Sequence, residues 1–403
     1  MDRRFWNVLA ANAASNLGDG LYQFALPLLA LGLTRSPTLI AGVTLALTLA
    51  WLVFGLHAGS LVDRLDRRHV LVTVSVLRAG VLASITALVL ADALTIPVVY
   101  LAAFVLGIGE TLADTSLSAL VPSVVSADRL ESANGRIAAG QTVMNSFVGP
   151  PLGGALIAAG AGVVTAVATG LFGLTALALA LVRGTFHAQV GGPPIGPAPE
   201  PVGRRVTEGL RFMWRSSVLR RLTLFTAAMN IWWAVWTAVF VVYAVAPGPM
   251  GLDPVGLGLL VTAMSLGGLV GSLAAGRLRR AVGIRNALLF DLVGTILLVG
   301  APAITTSPVL IGAALTVAGF GGGSWVVLVS SIRQRLTPNA LLGRVYSASR
   351  TISWGILPIG AALGGLGAEL FGIQQLFALG AIASVVTLIL FLWFVWRDGL
   401  EGA

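Results

Sequence analysis

The chain has 403 residues, 57% of them apolar and only 10% charged. A water-soluble domain carries about 25% charged residues, so this composition excludes a soluble protein of any fold. The net charge of +9 comes from 25 basic residues, all of them arginine. They lie between apolar stretches and form no single patch, which argues against nucleic acid as a partner. The absence of cysteine excludes disulfides and thiolate metal sites.

Apolar stretches of about 20 residues or more, the length that crosses a bilayer core as helix, recur from end to end. Lipid cannot satisfy open backbone groups and the runs lack a period of two, so each is read as an α-helix. Spans are expected near 6–33, 38–62, 69–91, 96–121, 130–159 and 161–183, then near 219–246, 255–276, 285–306, 308–336, 340–370 and 373–397. The first is too long for the apolar core of a cleaved leader and carries Asn12, Asn16 and Asp19. Alternate short connections hold Arg64, Arg67 and Arg68, then Arg129, Arg204 to Arg221, Arg277 to Arg285, and Arg333 with Arg335. The opposite connections hold Arg35 and almost nothing else. The asymmetry places both termini and the long middle loop in the cytoplasm.

Ionisable side chains at membrane depth are costly, so each is a functional candidate. Asp19 lies about thirteen residues into span one, roughly 20 Å deep at 1.5 Å per residue. Gln23 and Phe24 follow one turn later. In span three, Arg78 enters from the cytoplasmic side to a comparable depth. Span four brings Glu110 to mid-depth from the outside, with Asp114 one turn nearer the cytoplasm, where an Arg78–Asp114 pair is the economical arrangement. Burial disfavours the charged form of a carboxyl, which makes Asp19, Glu110 and Asp114 candidates for proton coupling. For Asp19 the competing reading is hydrogen bonding to the backbone beside Gly18 and Gly20. Span five holds Arg136 and Asn145, then Gly149-Pro150-Pro151-Leu152-Gly153-Gly154, in which the prolines kink the helix and the glycines permit close packing.

Residues 184–218 form the one clear linker: a Gly/Pro-rich part, then a basic amphipathic helix with Val206, Leu210, Met213 and Trp214 on one face, expected to lie on the cytoplasmic leaflet. Span seven offers Asn230, Trp232, Trp233 and Trp236, an aromatic surface suited to apolar or cationic molecules. Asp291 in span nine is placed to serve Arg277, Arg279 or Arg280. Span ten carries Gly319 to Trp325, read as loose and roomy. Span eleven holds Arg350 and Trp354. Together Gln23, Phe24, Asn145, Asn230, Trp232, Trp233, Trp236, Trp325 and Trp354 form a candidate substrate wall, against the plain alternative of lipid-facing or interfacial tryptophans. Arg78, Arg136 and Arg350 are candidates for a charge relay. Gly135-Arg136 and Pro150 recur as Gly343-Arg344 and Pro358, and Val121 to Val124 as Val329 to Ile332, all at an offset of 208 positions. The chain is therefore expected to hold a six-helix bundle at 1–183, a linker at 184–218 and a second bundle at 219–403.

Three segments resemble a known family. Gly59-Ser-Leu-Val-Asp63-Arg64-Leu-Asp66-Arg67-Arg68 is similar to the cytoplasmic loop signature G-x-L-x-D-R-x-G-R-R of the major facilitator superfamily, departing at Asp66, where glycine is usual. Gly149 to Gly154 resembles the G-P-x-x-G-G signature of its antiporters, although Asn145 and Arg136 stand where that pattern favours glycine. Ser15 to Gly20, with Ala25-Leu-Pro27, resembles a bacterial branch that includes macrolide and siderophore exporters. The resemblance implies the all-α major facilitator fold: twelve spans in two pseudo-symmetric bundles, with spans one, four, seven and ten lining a cavity. It implies a conformational latch at Gly59, Asp63, Arg64, Asp66, Arg67 and Arg68, in which the arginines pair with Asp66, Asp128 or Glu131. It also implies a hinge at Gly149, Pro150, Gly153 and Gly154.

The expected function is secondary export of amphipathic small molecules from a bacterial inner membrane by a monomer, driven by a proton gradient and using no cofactor. An importer or uniporter of the same fold is the first alternative, and the antiporter-type motif argues against it. A membrane enzyme is the second. It lacks support because the sequence has no HExxH and no P-loop, and His57, His69 and His187 are too scattered to hold a metal.

Overall fold

The structure is a computed structural model, and it describes residues 3–62, 65–126, 129–182, 202–338 and 341–398. Those residues are almost entirely helical. In order come α1 (Arg3–Leu33), α2 (Pro37–Val62), α3 (Arg67–Leu90), α4 (Ile96–Val124), α5 (Leu130–Gln141), a π-helical segment (Thr142–Val148), α6 (Gly149–Ala159), α7 (Ala161–Ala180), α8 (Val202–Arg215), α9 (Ser217–Ala244), α10 (Pro254–Ile304), α11 (Pro308–Leu336), α12 (Leu342–Gly355), α13 (Leu357–Phe371) and α14 (Ile373–Asp398). Each expected span falls on helix. Among the described residues, nine helices are long and apolar enough to cross a membrane. Outside that set are α1, with its polar residues Asn12, Ser15, Asn16, Asp19 and Gln23, and the interrupted run from α5 to α6. The loop expected between spans eight and nine is a single break inside α10 at Gly283, with φ 79° and ψ 160°, a conformation that only glycine adopts cheaply.

The chain divides into two compact units, Met1–Gly191 with Val241–Thr262 and Gly192–Phe240 with Ala263–Ala403. In the first unit, α1 packs on α5, α6 and α7, α3 on α4 and α7, and α2 on α4. A close approach lies where α1 crosses the π-helical segment and α6. A Cβ on Gly20 would stand 2.5 Å from the Asn145 carbonyl oxygen and 3.0 Å from the Gly149 Cα. The wider π turn falls directly ahead of Pro150 and Pro151, whose rings would strike the carbonyls of an α-helical preceding turn. Gly149, Pro150, Gly153 and Gly154 are all buried. In the second unit Pro358 likewise follows a helix break, between α12 and α13 at Ile356.

Asp66, the departure from the expected loop pattern, caps α3. Its carboxylate accepts from the backbone N–H groups of Arg68 and His69 at 2.9 and 3.1 Å, which is what a helix N-terminus asks of its cap. The Arg68 guanidinium donates to the carbonyls of Leu179 and Ala180 at the C-terminal end of α7. Arginine there satisfies acceptors that the helix leaves open. Asp63, Arg64 and Asp128 lie outside the described residues, as do the side chains of His57 and Glu131.

In the second unit, glycines of α11 meet backbone on two sides. Gly319 and Gly323 approach Met264 and Gly268, in α10 ahead of its break, while Gly321 approaches Phe290 and Asp291 beyond it. The sequence reading of this segment as roomy is corrected: lacking Cβ atoms, the glycines draw neighbouring backbones in. Gly360 and Gly364 of α13 do the same against Ile231, Ala234 and Val235 of α9. The second unit's core gathers Leu222, Met229, Leu288, Leu292, Trp325, Leu328, Phe391 and Phe394. The amphipathic helix α8 forms as expected, but protein covers much of its apolar face. Met213 is fully buried with Leu219 and Val345, Leu210 packs beside them, Gly209 abuts the Arg344 backbone, and Glu208 pairs with Arg344. Trp214 stays half exposed.

Two outcomes test this packing. Gly20→Ala should lower the unfolding free energy of the purified protein by about 1–3 kcal/mol through overpacking, read as a drop in thermal midpoint. Gly80→Ala, where no heavy atom lies within 4 Å, should leave the midpoint unchanged or raised. Asp66→Ala should destabilise α3 by about 1 kcal/mol, with Asp66→Gly costing only a few tenths. Equal losses for the two Asp66 variants would show that the cap is not what the carboxylate contributes.

Candidate transport site

Helix α1 repeats polar residues at three- and four-residue steps, Asn12, Ser15, Asn16 and Asp19, and all four are buried. That spacing sets them along one face of a helix. Opposite stand Ser75 and Arg78 of α3, also buried. Arg78 is 1% exposed and its Nη2 pairs directly with the Asp19 carboxylate. The guanidinium also donates to Ser15 Oγ at 3.4 Å and to the Tyr22 hydroxyl at 3.3 Å. It lies 4.1 Å from the centroid of the Phe172 ring of α7, a face that attracts a cation. Gly109 of α4 makes room for the arginine stem: a Cβ there would stand 2.9 Å from Arg78 Cγ and Cδ.

The network continues to α4. Tyr22 accepts from Arg78 and donates its own proton to Glu110 Oε2 at 2.9 Å. Gln23 Nε2 donates to both Glu110 oxygens at 3.0 Å. One guanidinium thus serves two carboxylates, Asp19 directly and Glu110 through a phenol hydroxyl. A cleft lined by Asn12, Ser15, Asn16, Asp19, Ser75, Glu110, Asp114 and Thr175 opens beside it. Asn16 faces that cleft with its amide held by Asn12, donating to the Asn12 carbonyl and side-chain oxygens at 2.9 Å.

The structure therefore brings together Asp19, Gln23, Arg78 and Glu110. Arg78 takes Asp19 as its direct partner, while the Asp114 carboxylate, exposed at the edge of the cleft, acts on the same guanidinium electrostatically. Asp19 and Arg78 are both buried, where leaving either charge without the other would be costly. Sequence reasoning missed Tyr22, Ser15 and Phe172. The polar period of span one contained the signal for Ser15; the role of Tyr22 depends on the facing of α4, which periodicity does not give.

The remaining candidates scatter. Of the other relay candidates, Arg136 lies over the Trp6 ring at 5.2 Å and Arg350 over Trp354 at 5.1 Å. Phe24 packs against Gly153, and Asn145 meets Gly20 through its backbone. In the second unit, Trp325 is 3% exposed, donates to Thr226 Oγ1 at 3.0 Å and packs on Phe391. It belongs to the core, which corrects its place in the wall. Trp236 is buried and stacks on Phe240 with centroids 4.5 Å apart. Asn230 ties α9 to α12 by donating to the Ser353 carbonyl at 2.6 Å. Trp232 lies against Gly380 and Trp233 near Gly322, both partly exposed, while Trp354 is largely exposed. Asp291 is buried beside α11, and its Oδ1 has no hydrogen-bond partner among the described residues, in place of the expected arginine.

Known proteins agree with this architecture. Residues 2–400 match the family described as transmembrane secretion effector. The chain is 27% identical over 379 residues to the multidrug efflux pump Tap of Mycolicibacterium fortuitum, covering 92% of this chain and 90% of that protein. It is 28% identical over 402 residues to the enterobactin exporter EntS of Escherichia coli, covering 96% and 91%. Among solved structures, the nucleoside transporter NupG superposes with a TM-score of 0.78 at 12% identity, over 98% of this chain and all of the other. A bacterial homologue of the iron transporter ferroportin, in an inward-facing state, gives 0.75 at 18% identity over 98% and 99%. At those identities the two structures speak for the fold alone. The chain belongs to the transmembrane secretion effector family of the major facilitator superfamily, and is a multi-pass membrane transporter rather than an enzyme.

Proposed function

We propose that this chain is a proton-coupled antiporter that exports amphipathic small molecules, drugs or secondary metabolites, by alternating access between two six-helix bundles at 1–183 and 219–403. The observation that carries the reading is the buried Arg78 shared between Asp19 and Glu110. With both acids ionised, the network holds one cation and two anions in a region of low dielectric, an excess that a single proton removes. Protonating Glu110 leaves Arg78 committed to Asp19 and weakens the hold of Tyr22 and Gln23 on α4. Protonating Asp19 releases Arg78 toward Tyr22 and Glu110. Each proton step thus changes which helices α1 grips, which is how a coupling ion biases an alternating-access equilibrium.

The export direction rests on the antiporter-type segment Gly149 to Gly154, buried against α1 and the start of α10, and on likeness to relatives named as a multidrug efflux pump and a siderophore exporter. The arginine asymmetry of the loops supports cytoplasmic termini in a bacterial inner membrane.

The test is transport in inverted proteoliposomes carrying a fluorescent cationic dye and an internal pH probe. Imposing a proton gradient should drive coupled dye and proton movement. Glu110→Gln and Asp19→Asn should each reduce gradient-driven accumulation by about tenfold or more, a loss equivalent to about 1.4 kcal/mol, while dye exchange without a gradient persists. Tyr22→Phe should weaken coupling less than either. Undiminished uphill movement in the Asp19→Asn, Glu110→Gln double variant would overturn the mechanism.

A further inference from the structure

A cavity of about 420 Å³ lies at one end of the first unit and shares no lining residue with the cleft beside Arg78. It forms where α1, α3, α6 and α9 finish and α7 and α10 begin, and every residue lining it belongs to the first unit. Leu28, Leu29, Val89, Ile157, Val245 and Pro254 give it an apolar wall. Two charges stand in the same lining: Arg35, just past α1, and Asp92, in the turn after α3. Both are exposed, and among the described residues neither makes a side-chain hydrogen bond or an ion pair, with the other or with any neighbour. An apolar cavity of this size with a few convergent polar groups is the usual form of a small-molecule site. The complement of this one is an apolar body whose head carries an anion and a cation set apart.

The surroundings indicate where such a molecule comes from. Val163, Val167, Leu174 and Leu177 of α7 are exposed, while Val164, Ala168, Phe172 and Ala176 are buried. One face of α7 is therefore turned away from the bundle, and in a membrane protein that face meets lipid chains, which are as apolar as leucine. The face reaches the cavity. Ala161, the first residue of α7, lines it together with Val89 of α3. Next to Ala161, a Cβ on Gly162 would stand 3.4 Å from Leu90 Cδ2 and 3.8 Å from Val89 Cγ1, and Leu90 is itself largely exposed. The cavity thus sits at the level of the helix ends, where headgroups lie, and its α3–α7 wall runs on into a surface that faces acyl chains.

We infer that this cavity seats the headgroup of a phospholipid carrying both a phosphate and a primary ammonium, taken from the surrounding bilayer. Arg35 donates to the phosphate oxygens, and Asp92 accepts from the ammonium N–H groups. The apolar wall takes the glycerol ester region, and the acyl chains run along Val163 and Val167. Exposed charge contacts are individually weak, so the wall supplies most of the affinity and the two charges choose the headgroup. The site goes beyond the export reading, because it ties the ends of α1, α3 and α7 to one class of lipid whatever the substrate.

The test is native mass spectrometry of the full-length protein in maltoside micelles, titrated with phosphatidylethanolamine and phosphatidylcholine of identical acyl chains. The choline headgroup has the same charges but carries methyl groups where ethanolamine has N–H donors. The unaltered protein should retain the ethanolamine lipid over the choline lipid by about threefold to fivefold, the range of an exposed ion pair. Asp92→Asn should bring that ratio toward unity, and asparagine tolerates the left-handed backbone at this position, where φ is 50°. Arg35→Gln should lower retention of both lipids. Glycerophosphoethanolamine, the same headgroup without chains, should fail to displace the bound lipid; displacement by it would assign the cavity to a soluble zwitterion and overturn the lipid assignment. Equal retention of the two lipids by the unaltered protein, a preference that persists in Asp92→Asn, or unchanged retention in Arg35→Gln would overturn the site. No transport is measured, so the outcome is independent of whether Glu110→Gln abolishes coupling.

Discussion

The first unit is organised around one buried positive charge. Arg78 carries its guanidinium to a depth where water is scarce, and the surrounding helices are arranged to make that tolerable. α1 supplies Asp19, Ser15 and Tyr22, α7 supplies the Phe172 face, and α4 yields space through Gly109. Isolated burial of such an ion costs several kcal/mol, and only good geometry with several partners offsets it. The polar stripe of α1 and the glycines beside it follow from this requirement: side chains that reach Arg78 sit on one face, while Gly18 and Gly20 let the same helix press against Phe172 and the π-helical segment. The site and the packing of α1 are one arrangement.

The two units handle their acids differently. In the first, carboxylates are linked to each other through a cation and a phenol. In the second, Asp291 is buried where α10 and α11 approach backbone to backbone, and its Oδ1 has no hydrogen-bond partner among the described residues. A linked pair of acids responds to charge as a set. A lone buried carboxylate responds to whatever cation can reach it.

Much of the fold is legible in the sequence because a bilayer leaves few options. Twelve apolar runs and the recurrence of Gly135-Arg136 and Pro150 as Gly343-Arg344 and Pro358 are enough to locate the helices, and the two proline positions both follow helix breaks. Depth is legible too, since Asp19, Arg78 and Glu110 can be placed by counting residues. Azimuth is not. Counting rise gives no rotation about the helix axis, so depth alone does not show that Arg78 meets Asp19 directly. The tryptophans illustrate the same limit. Trp325 and Trp233 are alike as residues, yet one donates to Thr226 inside the core and the other lies partly exposed near Gly322. The glycines of α11 mislead for a related reason: a missing side chain signals either space or close approach, and only the neighbouring helix decides which.

That last distinction has a mechanical side. Helices usually hold their relative positions because side-chain ridges of one sit in grooves of the next, so sliding requires rotamers to give way. Along the Gly319 to Gly323 stripe α11 meets the forward part of α10 backbone to backbone, with no ridge on its own side. Resistance to axial slippage there comes from main-chain atoms touching main-chain atoms rather than from interlocked teeth. Displacing α11 along that track would still cost the contacts that Trp325, Leu328 and Ile332 make on its other faces, so the stripe is a smooth seam on a helix held elsewhere by its side chains.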